Sequence, residues 1–330
     1  MLNNLLRRPE AGALLGLLFV LVFFSAFSGV EFLSLGGVAS WLNVAASLGI
    51  IAIPIGFLMI AGELDISIGA MVPASSMCIG VVSGYYEMPI LVGMGVTMLF
   101  ALLVGLLNGF LVIKTNVPSL IVTMGTLFGI MGLTLYGSLL LTGNTAVALV
   151  SPAWAKAVFG DFVFGDVFQV TVLWWLVFAA LCFYFLHLSP WGNWVFALGG
   201  DKVSARNAGI PTDKLTVGLF VLSSVAAGFV GMCQTLLYNS AQVSSGMSFI
   251  FNSIISSVIG GVLLTGGFGS VVGVFFGTIT FAIVNQGIYF TSFDRNLSSL
   301  IIGVMLLAAV LMNNTFRKAA LSYRPKKEGK

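Results

Sequence analysis

Apolar residues form long stretches along the chain, and charged residues interrupt them at wide intervals. An ionised side chain at the centre of a bilayer costs at least about 2.5 to 3.5 kcal/mol, and a helical crossing needs about 20 residues. Each stretch free of Asp, Glu, Lys and Arg is therefore a place where a helix can cross. These stretches are 11–30, 32–62, 66–86, 88–113, 115–155, 167–200, 215–293 and 296–316.

The stretches predict an all-α membrane protein with about ten transmembrane helices. The longest stretch has room for three crossings, separated by polar and glycine-rich turns at 239–246 and 265–269. The predicted crossings are 12–30, 41–61, 66–84, 89–113, 119–141, 168–187, 215–237, 249–265, 269–288 and 297–313.

Composition agrees with a lipid environment. Charged residues make up 8% of the chain and hydrophobic residues 58%, whereas a soluble domain carries about 25% charged residues. The mean hydropathy is +1.09. One globular core could not hide this much apolar surface, so a soluble fold is excluded.

The distribution of Lys and Arg predicts the orientation. Ten crossings put both termini on one side, and cytoplasmic loops carry an excess of basic residues. If that side is the cytoplasm, the other face receives only Lys156 and Arg295. The long loop 142–168 then faces outward, while the loop 188–214 and the basic tail 314–330 face inward. The remaining basic residues are Arg7, Arg8, Lys114, Lys202, Arg206, Lys214, Arg317, Lys318, Arg324, Lys326, Lys327 and Lys330.

A weak internal similarity links the two halves. Leu107-Asn108 followed by Ser119-Leu-Ile-Val122 matches Val284-Asn285 followed by Ser299-Leu-Ile-Ile302. A shift of five helices reverses the orientation of the second copy, so the pattern predicts an inverted repeat of the kind found in transporters.

Residues for catalysis or metal binding are not apparent. The one histidine, His187, stands at a predicted helix end, and Cys78, Cys182 and Cys233 lie apart in different apolar stretches. No phosphate-binding loop or hydrolase motif occurs. We therefore expect no catalytic residue, no metal site, no cofactor and no ATP hydrolysis in this chain itself. The net charge of +3 is explained by topology and the tail, and it calls for no nucleic acid partner.

The predicted span centres are neutral. Glu63 and Asp65 form the one acidic pair near a span, at its cytoplasmic end. Ion-coupled carriers usually keep ionisable groups near mid-membrane. The pattern favours a carrier driven by another subunit. An ion-coupled transporter of a small neutral solute remains the alternative, and a membrane enzyme or a structural subunit is a third hypothesis without supporting residues.

The loop 188–214 contains a predicted short helix. Asp201 can cap a helix from Lys202 to Ala208, with Gly209 as its end and Pro211 beyond it. Ala205 and Ala208 would share one face that could fit a partner's groove. Arg206 could pair with an acid of that partner or bind the last helical carbonyls. From the residues alone, an ordinary basic inside loop is also compatible.

Residues 192–210, from Gly192-Asn-Trp-Val to Ala208-Gly-Ile210, resemble the cytoplasmic coupling loop of ribose-type monosaccharide ABC permeases. Gly62-Glu-Leu-Asp-Ile-Ser-Ile-Gly69 and the segment 258–270 are similar to the same family. So is the run from Gly105-Leu-Leu-Asn-Gly109 through Thr126. Together these segments cover most of the chain from residue 45 onward.

The resemblance implies an inner-membrane permease, residues 1–330 forming a single transmembrane domain. Its partners would be a cytoplasmic ATPase that binds ATP and Mg²⁺, a second permease copy or paralogue, and an extracytoplasmic sugar-binding protein. The family motif around 62–69 implies roles for Asp65, Ser67 and Gly69. The coupling to the ATPase would be carried by Gly199, Gly200, Asp201, Ala205, Arg206, Ala208 and Gly209.

Polar residues within the spans are candidates for the substrate path, because a neutral polyol needs hydrogen bonds and no trapping charge. The alternative is interhelical bonding, at about 0.6 kcal/mol per bond. The candidates are Asn108, Thr123, Thr126, Gln234, Asn252 and Asn285. Three glycine pairs spaced four apart predict close helix packing instead: Gly105/Gly109, Gly125/Gly129 and Gly273/Gly277.

The chain also departs from the family pattern. Phe249-Ile-Phe-Asn-Ser253 stands where an acidic pair is expected, Glu63 where a glycine is usual, and Asp201 where an asparagine is usual. These differences leave the sugar open, as well as the choice between pairing with itself and pairing with a different permease.

Overall fold

The protein is described here by a computed structural model, which covers residues 9–115 and 117–291 and the single positions 300, 303, 304, 307 and 311. Within these residues, eight helical segments are long and apolar enough to cross a membrane. Each coincides with one of the predicted crossings. The crossing predicted at 297–313 and the basic tail 314–330 lie almost wholly outside the described residues.

The helices, numbered in chain order, are α1 Pro9–Phe27, α2 Leu35–Ile60, α3 Ile68–Ile79, α4 Ile90–Thr115, α5 Ser119–Thr142, α6 Ala153–Phe159, α7 Thr171–Phe183, α8 Pro190–Gly200, α9 Lys202–Asn207, α10 Thr212–Tyr238, α11 Ser248–Ile259 and α12 Val271–Gly287. π-helical turns, Gly80–Tyr85 and Tyr184–Leu188, extend α3 and α7, and short 3₁₀ segments lie at Val30–Leu33 and Ile288–Phe290.

Helix α2 forms the centre of the bundle. Its residues from Leu48 to Ile60 are almost completely buried, although they read as a uniform apolar run in the sequence. Helices α12, α7, α10 and α11 pack around it, and α1 covers α12. Helix α10 packs in turn against α3 and α4. Helix α5 lies at the periphery, with 17% of its most apolar window buried.

Two of the three predicted glycine pairs make close helix contacts. A Cβ at Gly105 would lie 2.6 Å from Cα of Val221, and one at Gly109 would lie 2.7 Å from Cα of Val217, so both bring α4 against α10. Gly273 and Gly277 of α12 meet the backbone of α11 and of residue 260 in the same way. Gly125 and Gly129 make no such contact within the described part of the chain, where an added Cβ at either position would meet no atom within 4 Å.

The crossing predicted at 249–265 is a shorter helix. Helix α11 has 12 residues, or about 18 Å at 1.5 Å per residue, and the chain is irregular from residue 260 to 270. A bilayer core is about 30 Å thick, so α11 does not cross it alone. The helix ends early because two successive glycines, Gly260 and Gly261, follow it, and Gly261 has a φ of 88°.

The loops contain more structure than the sequence indicated. The predicted turn at 239–246 includes β4 (Ser240–Gln242), which pairs antiparallel with β1 (Ala146–Ala148) from the loop 142–168. That loop also holds α6 and a small hairpin of β2 (Phe162–Val163) and β3 (Phe168–Gln169). The loop 188–214 is mostly helical, since α8 and α9 occupy it.

Candidate functional site

The short helix predicted in the loop 188–214 is present as α9, one residue shorter than expected. The carboxylate of Asp201 accepts a hydrogen bond from the amide of Ser204 at 2.6 Å, which is the expected N-cap. Hydrogen bonds from Ser204 also lower the pKa of Asp201 below its ordinary value. Gly209 has a φ of 84° and ends the helix as predicted.

The expected docking face of α9 is different in the structure. Ala205 is buried within the chain and Ala208 is exposed, so the two do not form one available small-residue face. Arg206 pairs with Asp213 at the start of α10, and its Nε donates to the Thr212 hydroxyl at 3.3 Å. The guanidinium therefore bridges α9 to its own chain. The apolar group that α9 presents outward is Val203, which is 68% exposed.

Three of the four segments that resemble the sugar permeases, 62–69, 192–210 and 258–270, come together at the base of α9. The amide of Gly267 donates to the carbonyl of Ile60 at 2.8 Å. A Cβ at Gly199 would overlap the same carbonyl oxygen, and one at Gly266 would lie 3.2 Å from Cα of Gly62. Gly199 and Gly266 have no room for a side chain where the three backbones meet, and Gly62 and Gly267 have φ angles of 81° and 73°, a region that favours glycine. We call Gly62, Gly199, Gly266 and Gly267 the glycine junction.

A salt bridge reinforces the glycine junction. Nζ of Lys202, the first residue of α9, lies 3.5 Å from Oε1 of Glu63, next to Gly62. The departure of Glu63 from the family's glycine thus supplies the partner for this lysine. Gly200, the neighbour of Gly199, has open space at its Cβ position.

From the glycine junction, the extended segment 62–67 enters the bundle and lies along α5. The amide of Leu64 donates to the hydroxyl of Ser119 at 3.0 Å, and the amide of Ile66 donates to that of Thr123 at 3.3 Å. Two residues of extended chain rise about 6.6 Å and four residues of helix about 6 Å, so alternate amides match successive turns of α5. Non-helical backbone inside the bundle is stable because other groups of the protein satisfy its hydrogen bonds.

Asp65 is the centre of a buried polar network. Its Oδ1 accepts from the amide and the hydroxyl of Ser67 at 2.9 and 2.6 Å, and its Oδ2 accepts from the hydroxyl of Ser223 at 2.9 Å. Asn108 donates from Nδ2 to the Ser67 hydroxyl at 2.9 Å, while its buried Oδ1 has no partner among the described residues. Burial raises the pKa of Asp65, and the bonds from Ser67 and Ser223 oppose that rise. The network joins α3, α4 and α10.

Gly69 brings a second irregular segment to this depth. A Cβ on Gly69 would overlap the side chain of Ile250 in α11, and one on Gly246 would lie 2.6 Å from the Gly69 carbonyl oxygen. The first turns of α3 and of α11 therefore meet inside the bundle, each preceded by non-helical chain. Asp65, Ser67 and Gly69 therefore all lie where α3 begins, and the sequence did not reveal Ser223 as the partner of Asp65.

The six candidate path residues lie on five different helices. Asn108 and Thr123 are completely buried and bonded to the segment 62–67. Thr126 is half-buried, and its hydroxyl donates to the carbonyl of Thr123. Gln234, Asn252 and Asn285 are half-buried on three other helices. His187 is at the end of the π-turn, and its Nε2 accepts from the amide of Val271 at 3.3 Å, so it caps α12.

Comparison with known proteins gives the family. The profile of the family described as "Branched-chain amino acid transport system / permease component" matches residues 37–310. The chain is 27% identical over 321 residues to a fructose import permease protein of Rhizobium meliloti, covering 94% of this chain and 87% of that protein. It is 26% identical over 303 residues to a ribose import permease protein of Haemophilus influenzae, covering 90% and 91% respectively.

A third relative, the autoinducer 2 import system permease protein of Photorhabdus laumondii, is 27% identical over 268 residues, with 80% of this chain and 79% of the relative covered. No solved structure matches the chain significantly. The permease matches and the eight apolar helices identify a multi-pass protein of the cytoplasmic membrane, a transport component and not an enzyme. The chain belongs to the family of import-system permease components represented by the branched-chain amino acid transport permease profile.

Proposed function

We propose that residues 1–330 form the single transmembrane domain of a permease subunit that imports a neutral monosaccharide or related polyol in an ABC transport system. A separate cytoplasmic subunit binds ATP and Mg²⁺ and drives transport. A second permease, either a copy or a paralogue, completes the membrane unit, and an extracytoplasmic binding protein delivers the sugar. The names of the fructose, ribose and autoinducer 2 relatives support this substrate class.

The observation that carries the proposal is the continuity between α9 and the bundle. Helix α9 begins at the glycine junction, and the glycine junction leads directly into the segment 62–67. That segment is bonded to α4, α5 and α10 through Asn108, Thr123 and Ser223. A displacement of α9 by an ATPase is thereby transmitted to several transmembrane helices at once, because backbone contacts without side chains cannot be compressed.

Val203 is the residue of α9 best placed to enter the ATPase. It is the exposed apolar side chain of that helix, whereas Arg206 and Asp213 neutralise each other beside it. A single apolar side chain on a short rigid helix can fill a pocket of a partner surface. The coupling residues Gly199, Gly200, Asp201, Ala205, Arg206, Ala208 and Gly209 then act mainly by holding α9 in place.

The second permease packs against α5 in this proposal. Gly125, Gly129 and Gly132 follow one another along that helix, and each has open space within 4 Å of its Cβ position. Small residues of this kind allow transmembrane helices to approach closely. The substrate path runs along this contact, with Thr126 nearest to it. Asn108, Thr123, Gln234, Asn252 and Asn285 are the further polar groups proposed for the path in other states of the cycle.

An inverted repeat and cytoplasmic termini belong to the same proposal. The first turns of α3 and α11 meet within the bundle, and non-helical chain precedes both. These are the third and eighth predicted crossings, which are five apart as the repeat requires. The matching segment at 299–302 lies almost wholly outside the described residues.

The test compares two identical substitutions on opposite sides of the protein. We expect Val203→Asp to abolish recovery of a nucleotide-binding ATPase with the permease from mildly solubilised membranes, because a carboxylate cannot enter an apolar pocket unpaired. Val150→Asp, at a residue that is 94% exposed in the loop 142–168, is the matched control and retains the ATPase. ATP-driven uptake of labelled ribose or fructose is measured separately for the Val203 variant, in intact cells before solubilisation.

Full ATPase recovery and full uptake with Val203→Asp would contradict the docking role of α9. Uptake that stops with an ionophore but continues after ATP depletion at a held ion gradient would contradict the whole proposal. That result would establish the ion-coupled carrier instead.

A further inference from the structure

A crevice with a volume of about 720 Å³ lies between α7, α8 and α10, away from the glycine junction. Its walls are formed by Phe178 and Phe185 on one side and by Leu215 and Leu222 on the other. Trp191, Trp194 and Lys214 stand at one end. A second crevice of about 250 Å³ shares Phe178, Leu181 and Leu222 with the first and continues it towards Trp174 and Phe229.

The dimensions of the crevice correspond to one leaflet of a membrane. Lys214 and Leu222 are eight residues apart on α10, which is about 12 Å along the helix axis. Half of a bilayer core is about 15 Å. The crevice therefore has the depth that an acyl chain occupies in the leaflet on the Lys214 side.

The chemistry at the mouth of the crevice is that of a membrane interface that attracts anions. Tryptophans are enriched at the level of lipid headgroups, and basic pockets between transmembrane helices bind anionic headgroups. Trp191 is 50% exposed, and Lys214 is exposed. The acid next to Lys214, Asp213, pairs with Arg206, so it does not neutralise the lysine. In the described part of the chain, no ion pair of Lys214 occurs.

We propose that this crevice binds an anionic glycerophospholipid, with one acyl chain between α7 and α10 and the phosphate at Lys214. The aromatic walls provide apolar contact for the chain, and Lys214 provides the selectivity for a negative headgroup. The site is independent of the proposed transport function, since it involves neither the glycine junction nor the open face of α5.

Gly218 allows the acyl-chain part to be tested separately. It lines the crevice, and an added Cβ there would meet no atom within 4 Å. Gly218→Leu therefore places an apolar side chain in the crevice from a position whose Cβ has open space. Gly95→Leu is the matched control, because Gly95 is also a helical glycine with open space but lies on α4. Lys214→Gln removes the charge, and Lys114→Gln, at the exposed end of α4, is its control.

The experiment is native mass spectrometry of the full chain released from nanodiscs containing equal amounts of phosphatidylglycerol and phosphatidylcholine. We expect the unchanged protein to retain phosphatidylglycerol preferentially. Lys214→Gln should lower that preference about fivefold, the ratio expected for one lysine near an anionic surface. Gly218→Leu should abolish retention of both lipids, and the two control variants should behave as the unchanged protein.

Equal retention of both lipids by the unchanged protein would overturn the proposal. So would retention that Gly218→Leu leaves intact, because the lipid would then bind elsewhere. With Cys78, Cys182 and Cys233 replaced by serine, a disulfide between Gly218→Cys and a second cysteine introduced within 292–330, or between Gly218→Cys of two copies, would also overturn it, since the crevice would then hold protein.

Discussion

At the scale of single residues, Asp65 is the one fully buried acidic group among the residues that the structure describes. A fully buried carboxylate is costly, and here hydroxyl and amide donors from Ser67 and Ser223 stabilise it in place of a cation. Its removal to alanine would leave several buried donors without an acceptor, at about 1 to 3 kcal/mol for each. The sequence identified Asp65 through its motif, but Ser223 lies far along the chain, and only folding brings it to Oδ2.

The raised pKa of Asp65 predicts a pH dependence of stability. The folded protein holds the carboxyl proton of Asp65 more tightly than the unfolded chain does, in which the pKa of this group has its ordinary value of 3.8. The stability of the protein relative to Asp65→Asn should therefore fall as the pH rises from 3.8 through the raised folded pKa. Above that folded pKa, the difference in stability between the two proteins becomes constant, because Asp65 is then ionised in both the folded and the unfolded state.

The measurement is the thermal unfolding midpoint in detergent at a series of pH values. Asp201→Asn serves as a control of opposite sign, because the pKa of Asp201 is lowered and its contribution is lost as the pH falls. If the midpoints of Asp65→Asn and of the unchanged protein differ by the same amount at every pH, Asp65 has the same pKa in the folded and the unfolded state, and the prediction is wrong.

At the scale of elements, close backbone contacts between segments that are distant in sequence determine how the helices are positioned. The contacts of α8 with the ends of the segments 62–67 and 260–270 fix the position of α9 relative to the bundle. The helix cap at Asp201 could be predicted from local residue types, since capping is a local interaction. The role of Arg206 could not, because its partner Asp213 was one of several possible acids.

Adjacent glycines at the end of α8 provide a matched test of this arrangement. Gly199→Ala places a methyl group on the carbonyl of Ile60, and we expect it to lower stability by about 1 to 3 kcal/mol and to weaken ATP-driven uptake. Gly200→Ala has open space and should be neutral or slightly stabilising, because alanine favours helix. Thermal unfolding and uptake by the two variants check this. If the two substitutions lower stability and uptake equally, the close contact at the glycine junction is not the cause of the loss.

At the scale of the whole molecule, the exposure of α5 distinguishes it from the other long helices. Gly125, Gly129 and Gly132 of α5 have open space at their Cβ positions within the described chain, whereas Gly105 and Gly109 of α4 and Gly273 and Gly277 of α12 are tightly packed. Lipid would be an adequate neighbour for the large apolar residues of α5. The row of open glycines favours another helix as the neighbour of α5, because a surface without side chains lets two helix backbones approach closely and pack.

The open face of α5 predicts a disulfide between permeases. With Cys78, Cys182 and Cys233 replaced by serine or alanine, Gly129→Cys should form an oxidised dimer in native membranes, provided the partner presents the same face. A bridge requires Cα atoms about 4.4 to 6.8 Å apart, so it reports close contact. Gly95→Cys on α4 is the control and should remain monomeric on a non-reducing gel. A dimer of the control alone would place the partner on α4 instead of α5.

The sequence by itself determined the all-α membrane class, the position of eight crossings and the capped helix near Asp201. Charge is excluded from lipid over about 20 residues, and capping depends on neighbours, so both leave a signal in the linear order. It also indicated the motif residues Asp65, Ser67 and Gly69. It offered no means of separating Gly105 and Gly109, which pack, from Gly125 and Gly129, which are open.

Only the tertiary structure decided the contacts between distant segments. These include the pairing of β1 with β4, the early end of α11, the burial of Ala205 and the meeting of three segments at the glycine junction. In an apolar chain, nearly every residue is compatible with lipid and with protein alike. Which face is buried therefore depends on the shapes that meet across the bundle, and the residue order alone does not encode those shapes locally.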